Sequence, residues 1–334
     1  MRPALEHLAA QQAGLFARHQ ALSSGYTPKE FDRMTYRGGG PWVRVRYGIY
    51  TVRESWERLD PAAQARLLDR AALIACDSGT VLSHASAARA LGLPLHDVHD
   101  DLVHVTRLRW HDRILTGVEA GIKHHGGLLD PAEIQVLQGV PITNAVRTAL
   151  DVASEFGYRT GLVIADAVLH SGIAKPDLQA AADQRLSNPH HALVQAVVTD
   201  ADGRAATPIE SLCRLAVHRM GIHDVIPQRE FTFIDAASAF VDLYSPYFNH
   251  VFECDGRLKY RNQVNDRGEL LTAEDILWME KQREDRLRGA GLGVSRFLWA
   301  DTRPEAFDRV SRRVWREIRL QNAAGLFSPR GETA

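Results

Sequence analysis

The chain has 334 residues, which is enough for two or three domains that each bury a core. Its 45% hydrophobic and 24% charged residues are typical of a globular protein and exclude a disordered or fibrous chain. The formal net charge of −1 excludes a uniformly basic nucleic-acid binder, so any surface for a polyanion must be local.

Cysteine usage and hydropathy bear on localisation. The three cysteines, Cys76, Cys213 and Cys254, lie far apart in sequence and lack metal-ligand spacing. A sparse, odd count predicts a reducing compartment without a disulfide framework. Residues 1–10 lack the apolar core of a signal peptide, and no run reaches the roughly 18 apolar residues of a membrane span. We therefore expect a cytoplasmic protein with no membrane partner.

The first part of the chain predicts three short helices, at residues 5–13, 15–22 and 27–36. The third begins with Thr27, Pro28 and then Glu30, a capping box with proline at the first helical position. A glycine-rich break and two extended segments, residues 42–46 and 49–52, follow. Three helices and then two strands around a tight turn are the order of a winged helix-turn-helix, which we predict for residues 1–55.

The charge of this region favours a DNA partner. Residues 1–50 carry seven Lys/Arg against three Asp/Glu, a local balance of +4. That balance suits a recognition helix in the major groove and a wing on phosphates, whereas the alternative is a small helical cap with solvated arginines. The candidate DNA-binding residues are Lys29, Arg33, Arg37, Arg44 and Arg46.

Three stretches of this region also carry a resemblance. They read Gly-Leu-Phe-Ala-Arg-His-Gln-Ala from Gly14, Gly-Tyr-Thr from Gly25, and Trp-Val-Arg-Val-Arg-Tyr-Gly-Ile-Tyr from Trp42. Over about residues 12–53 the chain resembles the N-terminal domain of AbiEi-family antitoxins of type IV toxin–antitoxin systems. The resemblance implies a winged helix that binds operator DNA, together with a cognate toxin or defence-system protein as a partner.

Residues 56–200 predict a mixed α/β middle domain. Its helices are expected at residues 61–76, 83–92, 143–155, 160–170 and 176–186, and its extended segments at 102–108 and 134–142. Ser-His-Ala-Ser-Ala-Ala from Ser83, and Thr143 with Arg147, Thr148 and Asp151, resemble the region that follows the winged helix in AbiEi-like proteins. There it serves as an interaction platform.

The middle domain offers little predicted chemistry. Ser83 beside His84 suggests a nucleophile–base pair, but neighbours on a helix do not face each other, so we expect capping and packing. The other histidines lack firm ligand spacing: His96, His99, His104, His124, His125, His190 and His191. We assign no site here, and a small-molecule enzyme in this region has little support.

Residues 200–204 form a small, polar, glycine-containing linker, and residues 205–320 predict a third domain. The expected elements lie at residues 207–220, 228–234, 239–244, 251–255, 273–288, 294–299 and 303–320. Their order, α-β-β-β-α-β-α, is that of the PD-(D/E)XK nuclease core. Residues 321–334 are expected to be a disordered tail. The fold class predicted for the whole chain is multidomain α/β.

The two middle strands of this domain carry acids. Residues 239–244 and 251–254 flank a turn-rich segment and predict a β-hairpin. Because strand side chains alternate, Glu253 and Asp255 share one face, and strand pairing can bring Asp242 alongside Glu253. Converging carboxylates hold a divalent metal or perform acid/base chemistry, whereas the alternative is solvated edge residues.

Four motifs of this domain resemble Vsr-like endonuclease domains over about 115 residues. They are Thr-Pro-Ile-Glu-Ser-Leu from Thr207, Phe-Val-Asp-Leu from Phe240, Phe-Glu-Cys-Asp-Gly-Arg-Leu-Lys-Tyr from Phe252, and Glu-Lys-Gln-Arg-Glu-Asp-Arg-Leu-Arg from Glu280 with Val-Ser-Arg-Phe from Val294. The resemblance implies that Glu210 is the helix acid and that Asp242 and Glu253 hold Mg²⁺ or Mn²⁺. Thr207 and Glu210 equally match a capping box, with Glu210 accepting from the Thr207 N–H.

The nuclease signature departs from its usual form at one position. Asp255 stands where the E-x-K motif has lysine, which orients the attacking water or stabilises negative charge. The site therefore has no obvious positive group, unless Lys259 or Lys281 takes the place of the missing lysine. The catalytic candidates are therefore Glu210, Asp242, Glu253, Asp255 and Lys259.

The closing helix predicts an arginine face, which suits phosphates or is simply solvated. Its members are Arg309, Arg312, Arg313, Arg316 and Arg319, opposite Phe307, Val310, Val314 and Ile318. Arg312 and Arg316 are the DNA-binding candidates. Two hypotheses follow: a Mg²⁺-dependent DNA endonuclease, or a transcriptional repressor or antitoxin with an inactive nuclease fold. Both bind double-stranded DNA, and neither needs an organic cofactor.

Overall fold

The fold is taken from a computed structural model of the chain. It describes residues 1–76, 79–107, 116–127, 129–185, 189–233, 238–255 and 272–323. Over these residues the protein is mixed α/β, as predicted, and it divides into two compact units. Unit 1 comprises Met1–Ile164 and Ala174–Thr199, and unit 2 comprises Ala165–Ile173 and Asp200–Ala334. Within the described residues, no helix combines the length and the apolarity that a membrane crossing needs.

Unit 1 begins with three helices around a small antiparallel sheet of order β1-β3-β2. The elements are α1 (Pro3–Gln11), β1 (Phe16–Ala17), α2 (Arg18–Ser23), α3 (Pro28–Met34), β2 (Trp42–Arg46) and β3 (Ile49–Val52). The second helix starts later than predicted because Phe16 and Ala17 pair with β3. The buried rings of Phe16, Phe31 and Trp42 form the core of this region.

The rest of unit 1 packs helices against a six-stranded sheet of order β6-β7-β5-β4-β9-β8. The elements are α4 (Arg53–Glu57), α5 (Pro61–Ala75), β4 (Thr80–Leu82), α6 (His84–Leu91), β5 (Val103–Arg107), β6 (Gly117–Glu119), β7 (Ile122–His125), β8 (Ile134–Leu137), β9 (Val140–Thr143), α7 (Ala145–Phe156), α8 (Tyr158–His170), α9 (Lys175–Asp183) and α10 (His191–Asp200). Residues 165–170 of α8 and Asp200 of α10 belong to unit 2. The helices predicted from Pro61 and Ser83 are confirmed. Thr143 does not cap α7, because Asn144 Oδ1 accepts from the Arg147 N–H at 2.8 Å.

Unit 2 has the element order that the sequence predicts for residues 205–320. The elements are α11 (Pro208–Arg219), β10 (Ile226–Thr232), β11 (Ser238–Ser245), β12 (His250–Asp255), α12 (Ala273–Gly289), β13 (Gly293–Leu298) and α13 (Phe307–Ala323). The strands form one sheet of order β10-β11-β12-β13. The first three strands are antiparallel, and β13 runs parallel to β12 after the α12 crossover.

Helices cover both faces of this sheet. On one face α11 and α13 bury a core with β12, and Val310, Val314 and Ile318 supply the apolar side of α13 as predicted. On the other face Leu287 of α12 packs in a separate core. Gln321, expected in a disordered tail, lies in α13, where its buried amide donates to backbone carbonyls. Residues 324–334 lie outside the described part of the chain.

The predicted linker is tied into unit 2 by a buried ion pair. The Arg214 guanidinium donates to both carboxylate oxygens of Asp166, at 3.0 and 2.9 Å. Asp166 also accepts from the Asp202 N–H at 2.7 Å. Residues 200–204 therefore have fixed hydrogen bonds, although their composition is that of a flexible connection.

Candidate functional site

The DNA-binding candidates of unit 1 lie on α3, in the turn after it and on β2. Thr27 and Glu30 form the predicted capping box, with the Thr27 N–H donating to Glu30 Oε2 at 2.8 Å. Glu30 is thus turned back on the helix start, while Lys29 and Arg33 lie one turn apart and exposed. The set is completed by two further exposed arginines, Arg37 and Arg44. Within the described residues, these four side chains have no hydrogen bond or ion pair.

Arg46 differs from those four cations. Its guanidinium donates to the Ala120 carbonyl at 2.7 Å, in the turn that joins β6 and β7. Burial lowers the pKa of Arg46, although it remains charged at neutral pH. The structure therefore engages Arg46 in a contact within unit 1 and leaves the other four candidates exposed.

In unit 2, the arginines predicted to form one face of α13 differ in their partners. Arg312 and Arg316, the two DNA-binding candidates, are exposed. Arg309 and Arg313 instead donate to the buried carboxylate of Asp301, at 2.9 and 3.2 Å. Two arginines of the predicted face, Arg309 and Arg313, therefore form ion pairs with Asp301. Arg312 and Arg316 remain exposed.

The predicted hairpin is confirmed. Leu243 pairs with Phe252, and the ladder continues from there to the turn. The next pair would place Asp242 opposite Glu253, but the backbone ladder stops before it. Instead, Asp242 Oδ2 accepts from the Cys254 N–H at 2.7 Å. The Asp242 side chain thus replaces a backbone partner where the two strands diverge.

Asp242 also interrupts the alternation of its own strand. Val241 packs in the core beside α12, and Leu243 packs in the core beside α11 and α13. Residues two apart in a regular strand lie on the same face, so the backbone is irregular at Asp242. Such irregularities re-aim a side chain, and this one sets a buried carboxylate against the Glu253–Cys254 peptide.

Glu253 and Asp255 lie on the same side of β12, as alternation predicts, and each is held by an arginine. Arg283 of α12 donates to both oxygens of Glu253, at 2.9 and 3.2 Å, and also to the Phe240 carbonyl. Arg296 of β13 donates to Asp255 at 3.0 Å. The expectation that the site at Asp242, Glu253 and Asp255 lacks a positive group is therefore wrong.

The charge of Arg296 is strongly stabilised. It donates to Glu284 at 2.8 Å in addition to Asp255. Although partial burial opposes the charge, Asp255 and Glu284 together raise the pKa of Arg296. Arg283 and Arg296 both lie in the helix–strand motif that resembles Vsr-like domains, so the sequence contained the signal for them.

Glu210 is buried and has a structural role at the start of α11. Its Oε1 accepts from Thr207 Oγ1 at 2.7 Å, and its Oε2 accepts from the Ala206 N–H at 2.9 Å. The backbone donor lies one residue earlier than the predicted capping box requires. Gln228 Nε2 also donates to Glu210, at 2.9 Å, from a residue with φ of +51°. A left-handed glutamine in a strand is strained, which points to a constrained site.

The oxygen donors of this site suit Mg²⁺, but the geometry fits it only in part. Lys259 lies outside the described residues, and Lys281 is exposed on α12. Glu210, Glu253 and Asp255 all accept hydrogen bonds from protein donors. In the described part of the chain, three candidate ligand atoms within 4.8 Å of one another occur only at His84, His125 and Glu155, in unit 1. A magnesium site at Asp242 and Glu253 stays a prediction.

The contact between Ser83 and His84 was missed because they are sequence neighbours. Ser83 precedes α6 in an extended conformation, and His84 has φ of +49°. This geometry turns the side chains together, with Ser83 Oγ and His84 Nδ1 2.9 Å apart. Both residues are buried, and Thr106 Oγ1 donates to Ser83 Oγ at 2.8 Å. The sequence assumption that the two cannot face each other is wrong.

Comparison with known proteins adds little to this geometry. No protein-family model matches the chain, and no curated protein matches it significantly. Among solved structures, the chain is similar to the crystal structure of the RV2827C protein from Mycobacterium tuberculosis, at 13% identity and a TM-score of 0.39. That match covers 63% of this chain and 78% of the other. A likeness this weak supports no inference about fold or function.

Proposed function

We propose that this protein binds double-stranded DNA through a winged helix at residues 1–55 and acts as a transcriptional repressor or antitoxin. The observation that carries the proposal is the set of four exposed cations: Lys29 and Arg33 on α3, Arg37 in the turn that follows, and Arg44 on β2. Cations that are not neutralised by the protein release counterions from DNA phosphates when they bind. The resemblance to AbiEi antitoxins agrees with this role and adds a cognate toxin as the expected protein partner.

Unit 2 fits the same proposal as a PD-(D/E)XK-like domain with neutralised acids. Arg283 and Arg296 form ion pairs with Glu253 and Asp255, the carboxylates that a nuclease would use at its active site. The exposed Arg312 and Arg316 give this domain a second surface for phosphates. A repressor needs such contacts and no hydrolysis.

The test is duplex binding as a function of salt. Fluorescence anisotropy on a random-sequence duplex should give a linear fall of log K with log salt concentration. The double variant Arg33→Ala, Arg44→Ala should reduce the slope by about two, one for each phosphate-binding cation removed. Arg58→Ala is the matched control, because Arg58 is exposed in unit 1 and paired with Glu54. An unchanged affinity and slope in the double variant would reject the proposed surface.

The second candidate function is Mg²⁺-dependent hydrolysis of DNA phosphodiesters. It is favoured by the buried Asp242 carboxylate at the point where β11 and β12 diverge. Asp242 and Glu253 would hold the ion, which when bound activates water and neutralises phosphate charge. Glu253 would first have to exchange Arg283 for the metal.

Cleavage assays separate the two functions. The nuclease proposal expects Mg²⁺- or Mn²⁺-dependent nicking of plasmid DNA that disappears in Asp242→Asn while duplex binding stays normal. Normal cleavage by Asp242→Asn would exclude this site. Binding without cleavage in the wild type, at millimolar Mg²⁺, supports the repressor.

A further inference from the structure

Three histidines and a glutamate converge where β5 and β7 meet α6 and α7 in unit 1. His84 is the first residue of α6, His125 the last of β7, and Glu155 lies in the final turn of α7. Candidate ligand atoms of His84, His125 and Glu155 all lie within 4.8 Å of one another. Residues from three separate elements thus form one cluster, which sequence spacing does not reveal.

A chain of hydrogen bonds fixes the proton positions on two of the imidazoles. Asp100 accepts from His104 Nε2 through both carboxylate oxygens, each at 3.1 Å. With its proton on Nε2, neutral His104 offers a bare Nδ1, which lies 2.9 Å from His125 Nε2. His125 must therefore donate from Nε2. Its Nδ1 then carries no proton and has a lone pair available for a ligand.

That lone pair faces another acceptor. His125 Nδ1 and Glu155 Oε2 are 4.0 Å apart, and the other Glu155 oxygen is paired with Lys123. In this hydrogen-bond pattern the neutral ring of His125 has its proton on Nε2, so no proton lies between its Nδ1 and Glu155. An imidazole nitrogen and a carboxylate oxygen placed in this way can both donate electron pairs to one cation.

His84 brings a third donor and is held under strain. Its ring stacks on His125, with centroids 3.6 Å apart and planes 14° from parallel. Its Nδ1 lies 2.9 Å from Ser83 Oγ, a hydroxyl that can accept from both His84 and Thr106. His84 Nε2 is then bare in the matching tautomer. A left-handed backbone at a histidine is a strained state of the kind that clusters at ligand sites.

We propose that His84, His125 and Glu155 bind a divalent transition-metal ion of the Zn²⁺ class, through His84 Nε2, His125 Nδ1 and a Glu155 oxygen. Two imidazoles and one carboxylate are the ligand set of open zinc sites, where water takes the fourth position. Imidazole donors favour zinc and its neighbours over Mg²⁺. Zinc–ligand bonds of about 2.0–2.1 Å require these atoms to draw closer. The stacked rings of His84 and His125 must also turn so that both lone pairs point to one ion, and Lys123 must be released from Glu155.

His104 is a positioning residue in this proposal. It does not contact the ion, but it accepts the His125 proton and so keeps His125 Nδ1 bare. Partners of this kind typically contribute about 10- to 100-fold to metal affinity. His104→Ala should therefore weaken binding by that factor. His104→Asn, which returns an acceptor near His125 Nε2, should recover part of the affinity.

The test is Zn²⁺ titration by calorimetry on the chelator-treated full chain. The wild type should bind one equivalent, and Co²⁺ in its place should give visible ligand-field bands. His125→Ala and Glu155→Gln should lose both signals. His124→Ala, a buried neighbour on the same strand, should bind as the wild type does. This outcome does not depend on DNA binding or cleavage.

Folding of the variants is checked by circular dichroism. If a variant does not fold, the wild type and Glu155→Gln are compared by thermal melting with Zn²⁺ and with chelator, since a ligand of the native state raises the melting temperature. Zn²⁺ should raise the melting temperature of the wild type only. Equal metal content in wild type, His125→Ala and Glu155→Gln would mean an adventitious ion only and would overturn the assignment.

Discussion

The two units differ in the ionisable groups that they bury. In unit 2 arginines from neighbouring elements pair with buried carboxylates, as Arg214 does with Asp166 and Arg283 with Glu253. Unit 1 has such pairs too, at Asp69 with Arg89 and at Asp151 with Arg147, but it also buries a cluster of imidazoles. These need no counter-ion, because burial lowers the pKa of each and keeps it neutral. The difference teaches that a buried carboxylate is usually already matched, whereas a neutral imidazole keeps a lone pair for a ligand.

This contrast also changes the expected order in which the two sites take a metal. A cation in unit 2 must displace Arg283 before Glu253 can bind it. At the site proposed in unit 1, the protein cation to be displaced is Lys123. We therefore expect the histidine cluster to take a metal more readily than the carboxylates to which the sequence pointed.

The largest expected effect concerns the most deeply buried pair. Arg214 and Asp166 have side chains only 5% and 1% exposed, so Arg214→Ala leaves a carboxylate buried without its main partner. We expect a decrease of about 3–5 kcal/mol in the free energy of unfolding, measured by urea denaturation. Arg204→Ala, at an exposed pair in the same unit, should cost under ~1 kcal/mol. Equal decreases would contradict the role given to burial.

A smaller effect is expected at the partly exposed pair. Arg283 is 35% exposed and Glu253 is 5% exposed, so water can replace some of the hydrogen bonds that Arg283→Ala removes. We expect a decrease of ~1–3 kcal/mol in the free energy of unfolding. Mg²⁺ affinity should rise by about tenfold, because the competing cation is gone.

Calorimetric titration of Mg²⁺ checks this second change. Lys281→Ala is the control, since Lys281 lies exposed on the same helix. If Arg283→Ala binds Mg²⁺ no better than the control does, the arginine is not what keeps the ion from Glu253.

Acid should affect the two units differently. Burial lowers the pKa of these described histidines: His84, His96, His104, His124 and His125 in unit 1, and His218 and His250 in unit 2. A folded pKa below the unfolded value means that the unfolded chain binds more protons. The stability is therefore complete above about pH 6.5 and decreases as the pH falls, at up to about 1.4 kcal/mol per pH unit for each group.

Unit 1 has more such groups, so we expect it to open first on acidification. Hydrogen exchange between pH 7 and pH 4.5, with chelator present, should show amides of the six-stranded sheet losing protection before those of β11 and β12. His7→Gln, at an exposed position, should leave the order unchanged. Earlier deprotection in unit 2 would contradict the comparison.

Local sequence signals predicted most of unit 2 and some of the helix ends. The α11-to-α13 order followed from periodicity and turn residues, and Thr27 with Glu30 capped α3 as expected. Strands β6 and β7 were missed because three or four residues carry too little periodicity. Long-range contacts were also missed. Nothing local to Asp100, His104 and His125 reveals that a sheet register brings them into one chain of hydrogen bonds.

The smallest expected effect compares two arginines of the same β2 strand. Arg44 is exposed, whereas Arg46 already donates to the Ala120 carbonyl. Arg44→Ala should reduce the salt slope of duplex binding by about one, because it removes one phosphate-binding cation. Arg46→Ala should leave that slope nearly unchanged, since its guanidinium would have to give up a fixed hydrogen bond to reach DNA. Anisotropy titrations at several salt concentrations compare them. A larger change in slope for Arg46→Ala would mean that the hydrogen bond to Ala120 breaks when DNA binds. Arg46 would then contact phosphates as readily as the arginines that have no hydrogen bond within unit 1.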